Sequence, residues 1–342
     1  MRQGYPLASC HDLRLNAGGP LLEPLKAFCI SHAKDVDGIG AAAIVVAATG
    51  AEVLLSDYTS LMKDLDKVPS EVDRFILCDL GSNDSNLVEF VSKMRRIASR
   101  SEVTYIDHHF MSAALKRMLK TAGVRVIHNE LECSSMLVYD TYRGVLPERA
   151  RMLALLGAVT DYLDGSPMAS RMMEQADRQF VLLEATMLAY AVAKEGSEEG
   201  FREMIVHELS RMRYPHEIEG VPGYAVKQLS DFVKLGEEVK SKGKRLGRLA
   251  YMMTSQHSTG SVAKLLIAAF EVPVGVALRE EEDGWSEASL RCTSECKVHL
   301  GKAINRISCR LGGSGGGHRK AAGCRIPTGR TKEMLEMLGR KV

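Results

Sequence analysis

The chain has 342 residues, 45% of them hydrophobic and 26% charged, with 45 Lys/Arg against 43 Asp/Glu and a formal net charge of +2. That balance is ordinary for a globular protein and excludes a disordered, collagen-like or low-complexity chain. No apolar run reaches the roughly 18 residues needed to span a bilayer. The eight cysteines are scattered rather than arranged as a disulfide framework, so reduced thiols in a cytoplasmic protein are expected.

Residues 1–24 lack the apolar core of a signal peptide and read as a leader. From 25 to 166, short apolar runs alternate with amphipathic stretches. KAFCISH, AEVLLSD, RFILCDL, EVTYIDH and VRVIH read as buried strands. GIGAAAIVVAATG, SNLVEFVSKMRRIAS and MSAALKRMLKTAG have helical spacing. Strands alternating with helices predict an α/β domain built on a parallel sheet covered on both faces, with ligands gathered beyond the carboxyl ends of the strands.

Those ends carry chemistry. The first strand runs into His32, Asp35 and Asp37; the third ends at Asp79; the fourth ends at Asp107, His108 and His109; the apolar run LALLGAVTDYLDG brings Asp161. Taken singly, each has a structural explanation: a satisfied histidine, a turn, or a helix cap. Together they place five carboxylates and three imidazoles at one edge, where they would repel and lose hydration. Divalent cations resolve this, since carboxylate and neutral imidazole suit manganese, magnesium or zinc. The number of donors suits a pair of ions about 3.5–4 Å apart that share a carboxylate.

Residues 167–246 read as a helical connecting segment. Its Met and Leu stripes pack either within the chain or against a second copy, and a homo-oligomer is expected. From 247 to 342 a second, smaller α/β unit follows: RLAYMMTS, EVPVGVALRE and GWSEASLRC as strands, with helices from Gly260 and from about His299 to Arg310. Residues 291–342 hold twelve Lys/Arg against three Asp/Glu, which points to an anionic partner. In LGGSGGGHRKAAG, Gly313, Gly315, Gly316 and Gly317 precede His318, Arg319 and Lys320, a loop in which backbone N–H groups can approach an anion. Cys292 and Cys296 have the spacing of a metal pair, but no second pair accompanies them.

These motifs, in this order, resemble the DHH family of phosphoesterases over most of the chain. SHAKDVDG is similar to the family's first motif, CDLG to its second, DHHF to its signature, TDYLDG to its fourth, and LRC with GGSGGGHRKAAG to the GGGH loop of the associated C-terminal substrate domain. The helical insert resembles that of archaeal RecJ-like nucleases. The resemblance implies a manganese-dependent two-metal hydrolase, with magnesium as the other candidate ion. His32 and Asp35 would hold one metal and Asp37, His108 and Asp161 the other, with Asp79 bridging. His109 would face the phosphoryl group, oriented by Asp107, while Arg291, Gly315, Gly316, Gly317 and His318 would grip phosphates. The expected substrates are single-stranded DNA or RNA or short oligonucleotides; the alternatives are a phosphodiesterase for a cyclic dinucleotide or another small phosphoester, and an inactive nucleic-acid-binding or assembly subunit. No membrane association is expected. Few aromatic residues flank the motifs in sequence, so no base-stacking platform can be picked out from them.

Overall fold

The computed structural model describes residues 25–81, 86–193, 200–255, 258–317 and 319–342. The leader therefore lies outside the described residues. The chain divides after Gln228 into two compact units.

The first unit holds strands β1 (Ala27–His32), β2 (Glu52–Ser56), β3 (Arg74–Cys78), β4 (Glu102–Asp107) and β5 (Val124–His128). They form a five-stranded sheet in the order β2-β1-β3-β4-β5, every pairing parallel. Connecting and following them are α1 (Val36–Thr49), α2 (Leu61–Asp64), α3 (Leu87–Ala98), α4 (Ala113–Thr121), α5 (Ser134–Tyr142), α6 (Arg151–Thr160), α7 (Pro167–Met173), α8 (Arg178–Val192), α9 (Phe201–Ser210) and α10 (Val221–Lys242), which runs on into the second unit.

The strands alternate as a two-sided sheet must. Cys29, Ile76 and Ile106 face a core shared with α1, α5, α6, α8 and α9, whereas Ile30, Phe75, Leu77 and Tyr105 face Phe90 and Met94 of α3 and Leu115 and Leu119 of α4. Helix α1 is apolar on nearly every side because it is buried between the sheet and other helices, and it stops at Gly50, whose φ of 70° a side chain would resist. The stripes of α8 and α9 (Val181, Ala185, Leu188, Ile205, Leu209) join this same core, so much of the apolar content of the helical segment packs within the chain. The strand order reverses direction between β1 and β3, the switch point at which such sheets open a crevice.

The second unit comprises β6 (Lys244–Leu246), β7 (Leu249–Met253), α11 (Thr259–Phe270), β8 (Val274–Glu280), β9 (Trp285–Cys292), α12 (Leu300–Arg310), β10 (Ser314–Gly317), β11 (Ala321–Pro327) and α13 (Thr331–Gly339). Its sheet runs β10-β11-β9-β8-β7-β6, with only β7 and β8 parallel. Helices α12 and α13 cover one face through Ile304, Ile307, Leu335 and Leu338; α11, with Leu235 and Val239 of α10, covers the other.

One expectation changes here. Gly315–Gly317 form the edge strand β10 rather than an open loop, paired antiparallel with Ala322–Cys324. Close packing explains Gly315 and Gly317: a Cβ on Gly315 would lie 2.5 Å from Cys324 Cβ, one on Gly317 2.6 Å from the Ala321 carbonyl oxygen, and one on Gly301 of α12 1.9 Å from the Gly317 carbonyl oxygen. Helix and hairpin meet backbone to backbone. The described cysteines are all free, and among the described residues no helix is long and apolar enough to cross a membrane.

Candidate metal centre

Three strand ends deliver the site. His32 closes β1, Asp79 follows β3, and Asp107 closes β4 with His108 and His109 directly after it. Asp35 caps α1, its Oδ1 accepting from Gly38 N at 2.9 Å, and Asp37 sits in the first turn. Asp161 caps the far end of α6. Asp79 adopts a φ of 57° and Tyr162, next to Asp161, a φ of 59°. For residues other than glycine this left-handed backbone costs about 1–3 kcal/mol, a strain the surrounding structure must hold in place.

The side chains converge. His32 Nδ1 lies 2.6 Å from Asp35 Oδ2 and 3.6 Å from Asp79 Oδ2. His108 Nε2 lies 3.2 Å from Asp161 Oδ2, 3.4 Å from Asp79 Oδ1 and 3.9 Å from Asp37 Oδ2. His109 Nδ1 lies 2.9 Å from Asp107 Oδ1 and 3.9 Å from Asp79 Oδ1. Three groups have ligand atoms within 4.8 Å of one another: His32/Asp35/Asp79, Asp37/His108/Asp161 and Asp79/His108/His109.

The electrostatics are those of a site built for cations. Burial, then Asp35 and Asp37, push the Asp79 carboxyl well above its usual range. Burial, then Asp37, Asp35 and Asp79, push Asp161 up to about 9. Burial pulls the His32 imidazole down, but Asp35 and Asp79 outweigh it and hold it at about 10. Burial likewise pulls His109 down, and the bond to Asp107 outweighs it and raises the imidazole. Without a cation, carboxylates so close together must take up protons. His32 Nδ1 is moreover buried with no aligned hydrogen bond, although Asp35 is within reach. A buried donor set of carboxylates and imidazoles with an orphaned ring nitrogen fits divalent metal ions.

Support for these residues comes from Gly38, which closes the first motif, and from positions that the motifs do not mark. At the start of α5, Ser134 N and Ser135 N donate to Asp37 Oδ2 and Oδ1 at 2.7 and 2.8 Å, and Ser134 Oγ donates to Asp79 Oδ1 at 2.9 Å. A helix N-terminus thus faces the carboxylates. Gly157 of α6 leaves room for them, since a Cβ there would meet Ser135 Oγ at 2.1 Å and Asp37 Oδ1 at 2.5 Å. Gly38 does the same beside His32, whose carbonyl oxygen would lie 2.3 Å from a Cβ. Tyr105 Oη shares its proton between Leu80 O at 2.9 Å and Asp107 Oδ2 at 3.0 Å, fixing the carboxylate that holds His109.

Aromatic residues also stand near the candidate ligands. Tyr58 has its Oη 3.0 Å from His109 Nε2; Phe110 and Tyr162, 71% and 74% exposed, directly follow His109 and Asp161. Phe110 and Tyr162 lie inside the motifs already singled out, and Tyr58 arrives from another strand. The only sequence signal for the two serines was a Ser-Ser pair opening an apolar run.

In the second unit, Arg291 of β9 pairs in register with Ala321, whose neighbour Ala322 pairs with Gly317. Its Nη2 would lie 3.0 Å from a Cβ on Gly260, at the start of α11. Gly316 is open, with nothing within 4 Å of an added Cβ. His318 lies outside the described residues.

Residues 26–160 match the DHH family N-terminal domain and residues 248–342 match the DHHA1 domain. A curated relative, the uncharacterized protein MJ0988 of Methanocaldococcus jannaschii, is 31% identical over 93 residues, which is 27% of this chain and 28% of that protein. Among solved structures, the DHH domain of a protein described as belonging to a family of ribosomal proteins is similar with a TM-score of 0.69 at 16% identity, over 93% of this chain and 86% of that one. RecJ of Thermus thermophilus in complex with Mn2+ gives a TM-score of 0.62 at 15% identity, over 93% of this chain and 52% of RecJ. The pGpG-specific phosphodiesterase PggH of Vibrio cholerae gives 0.56 at 13% identity, over 92% and 98% of the two chains. At these identities the likeness is one of fold.

Proposed function

The chain belongs to the DHH family of phosphoesterases, and on that footing we propose that it is a two-metal phosphodiesterase acting on single-stranded nucleic acid or short oligonucleotides. One observation carries the reading: Asp79 is shared between a donor group with His32 and Asp35 and a donor group with His108 and His109. His32 and Asp35 would hold one divalent cation and Asp37, His108 and Asp161 the other, with Asp79 between them. Manganese is the leading ion and magnesium the second; RecJ from Thermus thermophilus, similar in fold, has been crystallised with each. Bound, such ions supply an activated water and neutralise charge on the phosphoryl oxygens.

The chain's own groups do the rest. The α5 N-terminus fixes the direction of the Asp37 carboxylate and favours negative charge beside it. Asp107 holds the His109 ring by Nδ1, which leaves Nε2 to stabilise the phosphoryl charge or give a proton to the leaving oxygen. Arg291, the Gly315–Gly317 backbone and His318 would bind phosphates that do not react. Exposed Phe110 and Tyr162 beside the donors favour a substrate with unpaired bases, because base-on-aromatic stacking contributes about 1–3 kcal/mol per base. Homo-oligomerisation is a further part of the proposal: α10 exposes Leu229 and Val233 on one side.

The second reading is a phosphodiesterase for a cyclic or linear dinucleotide signal, favoured by the fold shared along nearly the whole length of the pGpG-specific enzyme. A panel decides between them: the protein with Mn2+, end-labelled DNA and RNA strands from dinucleotides upward, and a cyclic dinucleotide. Mononucleotide release from strands longer than a dinucleotide supports the first reading. Turnover of a linear or cyclic dinucleotide alone supports the second, and no hydrolysis of any member overturns both.

A further inference from the structure

The tyrosine that touches the site arrives from the sheet edge. Strand β2 is the outermost strand on its side, and the turn after it places Tyr58 against the donor cluster, ring edge toward His32 at 5.3 Å and toward His109 at 6.0 Å between centroids. That turn is tightly built. Asp57 Oδ1 accepts from Thr59 N at 2.8 Å, Thr59 Oγ1 at 2.6 Å and Ser60 N at 3.0 Å, and Asp57 Oδ2 pairs with Lys34 Nζ at 2.8 Å. Lys34 lies between His32 and Asp35, so the turn is tied to the segment that carries two of the proposed ligands. Beneath it, Ser56 Oγ donates to Asp64 Oδ2 at 2.7 Å. A surface tyrosine in no particular role needs none of this.

His109 is held at three points. Its Nδ1 meets Asp107 Oδ1 at 2.9 Å, its carbonyl oxygen accepts from His128 Nε2 at 2.6 Å, and its Nε2 meets Tyr58 Oη at 3.0 Å. With the Asp107 carboxylate at Nδ1 and the Tyr58 hydroxyl at Nε2, both ring nitrogens are engaged and the plane of the imidazole is fixed. Asp107 is 1% exposed and locked by Tyr105, whereas Tyr58 is 49% exposed. Of the two ring-nitrogen partners, Tyr58 is the one that an incoming group can displace.

We propose that Tyr58 is a positioning residue for the hydrolysis: its hydroxyl fixes the His109 ring at rest and gives up Nε2 to the leaving oxygen when substrate binds. This rests on the phosphodiesterase reading above. In the step it serves, water forms a new P–O bond and releases a proton to solvent. The old P–O bond breaks with its electron pair on the leaving nucleoside oxygen, and that oxygen takes a proton from His109 Nε2. A p-nitrophenolate leaving group is stable without a proton and has no need of this transfer.

The test compares Tyr58→Phe with wild type on a dinucleotide and on the p-nitrophenyl ester of thymidine 5′-phosphate, both with Mn2+. Expected is a fall in kcat of about ten-fold on the dinucleotide, a fraction of what a general acid contributes, with KM, manganese content and turnover of the nitrophenyl ester unchanged. Equal losses on both esters, a rise in KM alone, or no loss would overturn the proposal. If wild type hydrolyses neither ester nor any member of the panel above, the phosphodiesterase reading falls, and with it the catalytic part of this role. The anchor is then decided by the 15N resonances of His109 in the metal-free protein: Tyr58→Phe should shift Nε2 and leave Nδ1 in place. An unmoved Nε2 overturns it.

Discussion

Ser134 Oγ donates to Asp79 Oδ1 at 2.9 Å, which ties a carboxylate shared by two donor groups to the first turn of α5. The same turn holds Asp37 through two backbone N–H groups. Partners that orient ligands in this way are worth about 10–100-fold in metal affinity or activity when removed. Ser134→Ala should therefore weaken manganese binding by about ten-fold or more, with the unfolding transition unchanged. Isothermal titration with Mn2+ on the purified variant checks this; unchanged affinity would place Asp79 under the control of its own strand alone.

Gly157 gives a prediction of the opposite kind, in which adding one methyl group is harmful. Its Cβ would lie 2.1 Å from Ser135 Oγ and 2.5 Å from Asp37 Oδ1. Gly157→Ala should cost about 1–3 kcal/mol from overpacking, despite the better helix propensity of alanine. Urea denaturation measures that loss, and metal analysis of the folded fraction should show less bound manganese.

Arg291→Ala should separate substrate binding from metal binding. A lost charge-assisted contact of about 1.5–3 kcal/mol corresponds to an effect of about ten- to hundred-fold, appearing in KM if the contact is equal in ground and transition states. Manganese content should not change. Loss of metal together with activity would instead contradict a role for Arg291 in phosphate binding alone.

Asp64 supplies a pH dependence away from the candidate metal centre. Its carboxylate accepts from Ser56 Oγ at 2.7 Å and pairs with Lys67 Nζ at 2.7 Å. Burial pushes its pKa up, but Lys67, Ser56 and Ser60 outweigh it and hold the group below its usual value. A depressed folded-state pKa gives stability that is present above the unfolded value of about 3.9 and lost as pH falls through the folded one. Asp64→Asn should thus be less stable than wild type at pH near 7, by about 1–3 kcal/mol, and the gap should close in the acid range. Urea melts at neutral and acid pH measure both; a gap that persists in acid would assign the loss to packing.

Much of this site is legible from strand ends. In a parallel sheet each strand delivers its last residues to the same edge, so His32, Asp79 and Asp107–His109 could be assembled from apolar runs and the residues that close them. The residues that support them could not. Ser134 and Ser135 act mainly through backbone N–H groups, which every residue has, and Gly157 acts through the absence of a side chain in a helix. Tyr58 follows the edge strand β2, whose end carries no imidazole, and only the fold brings it to His109. The Gly315–Gly317 run misled for a related reason. Glycine permits a loop, but it also permits a helix to meet a hairpin backbone to backbone, and α12 uses that second freedom. The apolar stripes of α8 and α9 fitted an internal core or a second copy equally well until the packing against α1 and α6 was known.

The central claim is that Asp79 joins two cation sites into one hydrolytic centre, and turnover by Asp79→Ala at saturating Mn2+ tests it most directly. Asp79 lies at a strand end, outside the apolar core, so the variant should unfold cooperatively in urea as the wild type does. Measured on the best substrate of the panel, it should hydrolyse nothing detectable while wild type turns over. A well-folded Asp79→Ala protein with near-normal activity would contradict the account.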